Sequence, residues 1–263
     1  KEKFEALRDG IVDISRRVPQ SARDLAAAEY EILSSGVALE NSAQVLEASA
    51  KAAVAGVTDT KTAVTAGVGV INAFGKSIGE LGNVYDVMFQ TVKAGRVEFP
   101  DLANTLGEVL PSAVSAKIAF EDVSAAMAAL TINGMKSTQA ATAIKGAITA
   151  MAAPAPEAKK KFEELGITWQ GFLPTLDAIA KKNLSLDRMR ELIPDVEARN
   201  GVLILTQNME RLNGMLGEVR AAAGSTAEAF DKMKDTPANQ LALFWNELQT
   251  LLIPLQGDVM EGA

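Results

Sequence analysis

An all-α fold is predicted by three features of this 263-residue sequence. Apolar residues recur at intervals of three and four in almost every segment, sustained period-two alternation is missing, and helix caps and stops fall between the periodic stretches. The architecture that follows is an array of short amphipathic helices and helical hairpins, with coiled-coil extensions at the ends. Phe4, Leu7, Ile11 and Ile14 form a first stripe, ended by Pro19. Ser21 to Asp24 has the form of a capping box and opens a helix through Leu25, Ala28 and Ile32 to a stop at Gly36. Leu39 to Ala55 is the third helix, with Val45, Leu46 and Ala53 inward, and the helices flanking Gly36 are expected to pair as a hairpin.

Shorter units follow. Asp59 caps a helix running toward Phe74, and Gly82 to Lys93 carries Val84, Met88 and Val92 on one face. Pro100 suits a first helical turn, and Pro111 is expected to limit the helix that contains Asp101. Ser137 or Thr138 starts a helix over Ala140 to Met151, and the Pro154 and Pro156 region is a stiff turn into a helix ending at Leu165-Gly166. Further helices are expected over Asp177 to Lys182, Leu184 to Ile193, Asp195 to Leu205 and Met209 to Val219. Thr236-Pro237 starts the last helix, which carries Leu241, Phe244, Leu248, Leu251 and Leu252. We divide the chain into a hairpin region (1–57), a helical core (58–167), a C-terminal helical part (168–235) and an amphipathic helix leading into further sequence (236–263).

Composition narrows the chemistry. The formal charge of −7 opposes nucleic-acid binding, which needs clustered Lys and Arg. The basic run Lys159 to Lys161 is followed by Glu163 and Glu164 and reads as a solvated helix face. With neither Cys nor His, disulfides, thiolate metal sites and histidine-dependent catalysis are excluded. Glu163-Glu164 and Glu228 with Asp231 lack the surroundings that acid–base catalysis requires and read as helix-surface charge. Lys1 to Phe4 leads into charged amphipathic sequence rather than a signal-peptide core, and no apolar run is long enough to span a bilayer. The missing initiator Met and the charged helical start suggest a piece of a longer chain.

Gly75-Lys76-Ser77 is the second half of a phosphate-loop motif, but its required first glycine is Val70, and helix precedes it. Gly75 and Gly79 are instead candidates for close helix packing or self-association, with Gly67, Gly69 and Gly82 extending the small-residue track. Leu241, Phe244, Leu248 and Leu252 are the other candidates for self-association. No cofactor is expected. Met127, Leu130, Met135 and Met151 read as core filler.

The order of the segments carries a resemblance. TDTKTAVTAGVGVINAFG from Thr58, FPDLANTLGEVLPSA from Phe99, FEDVSAAMAALTING from Phe120 and FEELGI from Phe162 occur in the order seen in the core of bacteriophage tail tape measure proteins. TPANQLALFWNELQTL from Thr236 is similar to the helix that follows that core. The resemblance runs from about Pro19 to Val259. It implies a non-enzymatic protein of the virion, made in the bacterial cytoplasm and held in the tail lumen, where it sets tail length, nucleates tube polymerisation and leaves ahead of the genome. The partners it implies are tail tube protein, tail tip or baseplate proteins, tail assembly chaperones and further copies of the chain. The other reading open to the sequence is a cellular helical interaction or effector module without catalytic activity.

Overall fold

The computed structural model describes the backbone of residues 2–261 and the side chains of residues 4–251. Its recurring element is a helical corner. At Gly36, Val57, Lys117, Gly134 and Gly166 a residue with positive φ ends one helix, and the amide after it reaches back to the last turn. These return bonds are Val37 N to Ile32 O (3.4 Å), Thr58 N to Ala53 O (2.9 Å), Ile118 N to Ala113 O (2.9 Å), Met135 N to Leu130 O (3.2 Å) and Ile167 N to Phe162 O (2.9 Å). Each satisfies a carbonyl that the helix end leaves without a donor. Val37, Ile118 and Ile167, the residues that follow three of the turns, are buried, so the corner also seats an apolar side chain beneath the helix it ends.

The described residues form fifteen α-helices and one 3-10 turn, with no strand. They are α1 (Glu2–Arg17), α2 (Ala22–Ser34), α3 (Leu39–Ala55), α4 (Thr60–Phe74), the 3-10 turn (Ile78–Glu80), α5 (Leu81–Ala94), α6 (Phe99–Ser115) and α7 (Phe120–Ile132). There follow α8 (Ser137–Ala152), α9 (Pro156–Glu164), α10 (Phe172–Lys181), α11 (Leu186–Leu192), α12 (Val196–Gln207), α13 (Met209–Arg220), α14 (Ser225–Lys234) and α15 (Pro237–Glu261). Side-chain caps match local sequence: Ser21 Oγ accepts from Asp24 N (3.1 Å), Asp59 Oδ1 from Thr62 N (2.8 Å) and Asp195 Oδ1 from Ala198 N (2.7 Å).

The helices gather into two units. The first comprises Lys1–Ile71, Ser77–Tyr85 and Gly224–Ala263. In it α3 packs on α2 and α14, and α1 packs on α15, α2 and α3. Tyr85 is wholly buried; its hydroxyl lies 2.7 Å from Ser49 Oγ and donates to Ala63 O (2.9 Å). Burial pushes the Tyr85 phenol well above its ordinary range, so it stays neutral. Gly67 makes room for that ring, because a Cβ there would collide with it.

The second unit comprises Asn72–Lys76 and Asp86–Ala223. Here α8 packs on α12, α6 and α7, and α7 on α13. The α8–α12 crossing is made by two matching pairs. A Cβ at Gly146 would lie 2.8 Å from Ala198 Cβ, and one at Gly201 would lie 2.8 Å from Ala143 Cβ. Each helix thus carries an Ala, two residues and a Gly, and each Gly faces the other helix's Ala. Met127, Leu130 and Met151 are buried core residues of this unit, as expected, whereas Met135 is only half-buried.

Several local expectations need correction. Pro111 does not end its helix: α6 continues to Ser115. Pro111 and Gly107, whose carbonyl loses its partner, are both exposed, so water can take that bond, while buried Val109, Leu110 and Ala113 hold the turn against the core. Helix α10 starts at Phe172, five residues before Asp177, because Gly171 (φ 105°) sets its entry and Phe172 is buried. Helix α14 lacks an apolar stripe obvious in sequence; Phe230 and Thr226 are its buried residues. Phe4 does not complete the first stripe inward and is 79% exposed, whereas Ile14 is buried.

Candidate assembly surface

Helix α15 is turned inside out relative to the usual amphipathic arrangement. Its inward side is polar: Asn246 and Thr250 are buried, four residues apart. The Asn246 amide donates to Ser15 O (2.9 Å) and Gln20 O (2.8 Å), with Val18 O at 3.4 Å. Pro19 explains why a donor is needed there. It has no N–H, so the Ser15 carbonyl lacks the helical partner it would otherwise have, four residues on. An amide nitrogen has two hydrogens, enough for the two short bonds. Arg16 Nε adds a hydrogen bond to Thr250 Oγ1 (3.2 Å).

The outward side is apolar. Leu241, Phe244, Trp245 and Leu251 are 56–63% exposed, and Leu248 between them is half-buried. Steps of three, four and three residues from Leu241 through Phe244 and Leu248 to Leu251 place them along one seam with the spacing of a coiled coil. Trp245 widens the seam on one flank. Leu252, the remaining candidate on this helix, lies outside the described side chains. Sequence reading named Leu241, Phe244 and Leu248 but missed Asn246, whose signal was Pro19 and the Ser15 carbonyl it leaves without a helical donor.

Gly75 and Gly79 occupy different settings from the seam. Gly75 ends α4 with φ 62°, and a Cβ on it would meet nothing within 4 Å. Gly79 lies in the 3-10 turn, where the one neighbour of an added Cβ is Ser77 Oγ at 3.8 Å. Neither is a close-packing point within the chain; those are Gly67, Gly95, Gly146 and Gly201. Ser77 N and Oγ donate to Glu80 Oε2 at 2.8 and 3.1 Å, and helix α4, not a strand, precedes Lys76. The geometry there is a helix stop and restart, not a phosphate cradle.

The carboxylate pairs lie on exposed helix surface. Glu164 pairs with Lys161 (3.1 Å) and Glu228 with Lys232 (2.6 Å), both within one helix. No group of three or more acidic residues among the described residues is placed to hold a metal ion. None of their helices is long and apolar enough to cross a membrane.

The described residues form an all-helical array that carries an exposed apolar seam, and comparison with known proteins identifies the family of such an array. The family described as phage-related minor tail protein matches residues 8–244, and the chain belongs to it. It is 26% identical over 279 aligned positions to the probable tape measure protein of Clostridium phage phiCD119, covering 98% of this chain and 29% of that protein. It is 23% identical over 242 positions to the tape measure protein of Pneumococcus phage Dp-1, covering 90% of this chain and 20% of that protein. The resemblance read from the order of the helical corners is thereby upheld. The chain spans less than a third of the length of either relative. No solved structure matches it.

Proposed function

We propose that this chain is a packed helical region of a tail tape measure protein that acts in the tail lumen as a structural, non-enzymatic part. The observation that carries this is its alignment, over nearly its whole length, with two tape measure proteins. The full protein is made in the host cytoplasm, where assembly chaperones hold it. It then nucleates polymerisation of tail tube protein from the tip or baseplate, sets tail length and leaves ahead of the genome. Several copies lie side by side, joined along Leu241, Phe244, Leu248 and Leu252, and α15 continues into coiled coil. Gly75 and Gly79, where an added Cβ would meet nothing closer than 3.8 Å, are further candidates for close approach between copies. The net charge of −7 suits a path shared with exiting DNA, since like charges do not hold it.

Length measurement rests on a helical rise of about 1.5 Å per residue, which a folded array cannot supply in proportion. Deleting whole turns from a continuous helical stretch elsewhere in the parent protein should therefore shorten tails by about 1.5 Å per residue. Deleting residues 58–167 removes helices from both packed units and should abolish or scatter tail assembly. Electron micrographs decide it. Uniform, infectious tails about 165 Å shorter would make this region part of the ruler and overturn its reading as a packed region that does not measure length.

A further inference from the structure

The first unit contains a half-open cavity of about 190 Å³ between α1, α2 and α3. Ala6, Leu7, Ile11, Leu39 and Leu46 supply apolar walls. Two features make it unlike a packing defect. Gly10 forms part of the wall, and a Cβ there would meet nothing within 4 Å. A glycine in a helix interior costs about 1 kcal/mol relative to Ala, and no close helix approach accounts for this one. The space exists in part because residue 10 has no side chain.

The second feature is Glu29. It lines the same cavity, is only 2% exposed, and neither carboxylate oxygen has a hydrogen-bond partner. Ser42, also on the wall, has its hydroxyl hydrogen committed to Leu39 O (2.9 Å). A buried carboxylate without a partner is costly unless it is protonated or meets a cation. Burial pushes the Glu29 carboxyl above its ordinary range.

We propose that this cavity receives an aliphatic ammonium group: the side chain of a lysine presented by a protein partner, its methylene stem against the apolar walls and its ammonium on Glu29. Size supports the choice. A cavity of about 150 Å³ holds a six-carbon ring, so this one holds a lysine stem and head and little more. A free amine of that size has too few atoms to bind tightly alone, whereas a lysine carried on a larger surface brings further contacts, with half-exposed Leu39 at the rim to meet them.

The test is NMR titration of the chain with N-acetyl-lysine methylamide, N-acetyl-norleucine methylamide, which keeps the lysine carbon stem and lacks its ammonium, and n-butylammonium. The lysine compound should give saturable shifts confined to residues around Gly10, Glu29 and Ser42, and bind at least tenfold more tightly than norleucine. Glu29→Gln should remove that preference, and Gly10→Leu should block binding by filling the space, both with the helical circular dichroism of the parent chain. Equal binding of lysine and norleucine compounds, or lysine binding unchanged in either variant, would overturn the proposal. So would n-butylammonium binding more tightly than the lysine compound, since the site would then belong to a free amine.

Discussion

The α8–α12 crossing and the α1–α15 edge spend apolar surface in opposite ways. At the crossing, Gly146 and Gly201 let two helices close on each other's alanines, and small residues are consumed in a dry contact. At the edge, α15 is held by the Asn246 amide on the Ser15 carbonyl that Pro19 leaves without a donor and on the Gln20 carbonyl, and by Thr250, whose hydroxyl accepts from Arg16, while Leu241, Phe244, Trp245 and Leu251 remain outside. The contrast shows that apolar periodicity reveals which face of a helix wants to be buried, but not whether the burial occurs within the chain. The first contact completes a core; the second keeps a helix in place while its apolar side stays exposed.

The crossing is the more sensitive of the two contacts to added volume. Gly201→Leu should force α8 and α12 apart and cost about 3 kcal/mol, read as a lowered unfolding midpoint and loss of amide-exchange protection in both helices. A variant as stable as the parent would show that the crossing is not tight. At the edge, Asn246→Ala strands the Ser15 and Gln20 carbonyls and should cost about 2 kcal/mol. Faster amide exchange should be confined to α15 and the end of α1, with α8 and α12 unchanged.

A smaller effect is expected at Glu29. Its raised carboxyl pKa means that the native state holds this proton more tightly than the unfolded chain does. Its contribution therefore favours the fold at low pH and is lost as pH rises through the native titration. Glu29→Gln should raise the melting temperature near neutral pH, by less than Asn246→Ala lowers it, and the gain should fade on acidification. A gain independent of pH would contradict this. The least effect belongs to Val57→Gly. Val57 has φ 53° and an exposed side chain, and relief of left-handed strain, partly offset by a freer unfolded chain, should stabilise by about 0.5–1 kcal/mol.

Much of the fold is legible in the sequence because the corners are local. Gly36, Gly134 and Gly166 mark turns, Ser21, Asp59 and Asp195 mark starts, and α3 spans the residues its periodicity predicts. Val57 and Lys117 make the same left-handed turns without a glycine, so the residue type alone conceals them. Pro111 misleads because a proline on the exposed side of a helix leaves a carbonyl that water can serve. The grouping of α14 and α15 with α1 to α3 depends on contacts between residues more than 200 apart, such as Asn246 with Ser15, which no local pattern encodes. Of the candidate surface, the seam is visible as spacing. Its outward aim is not, because that is decided by Asn246 and Pro19 together.

If copies of the chain join along the α15 seam, as proposed, association must depend on its apolar side chains. Sedimentation velocity across a wide concentration range, on the parent chain and on a Phe244→Glu, Leu251→Glu variant, decides this. The parent should show concentration-dependent oligomers, and the variant should remain monomeric with unchanged helical circular dichroism, because both residues point away from the packed side of the helix. A parent chain that stays monomeric throughout, or a variant that associates equally well, would show that the seam does not join copies of the chain.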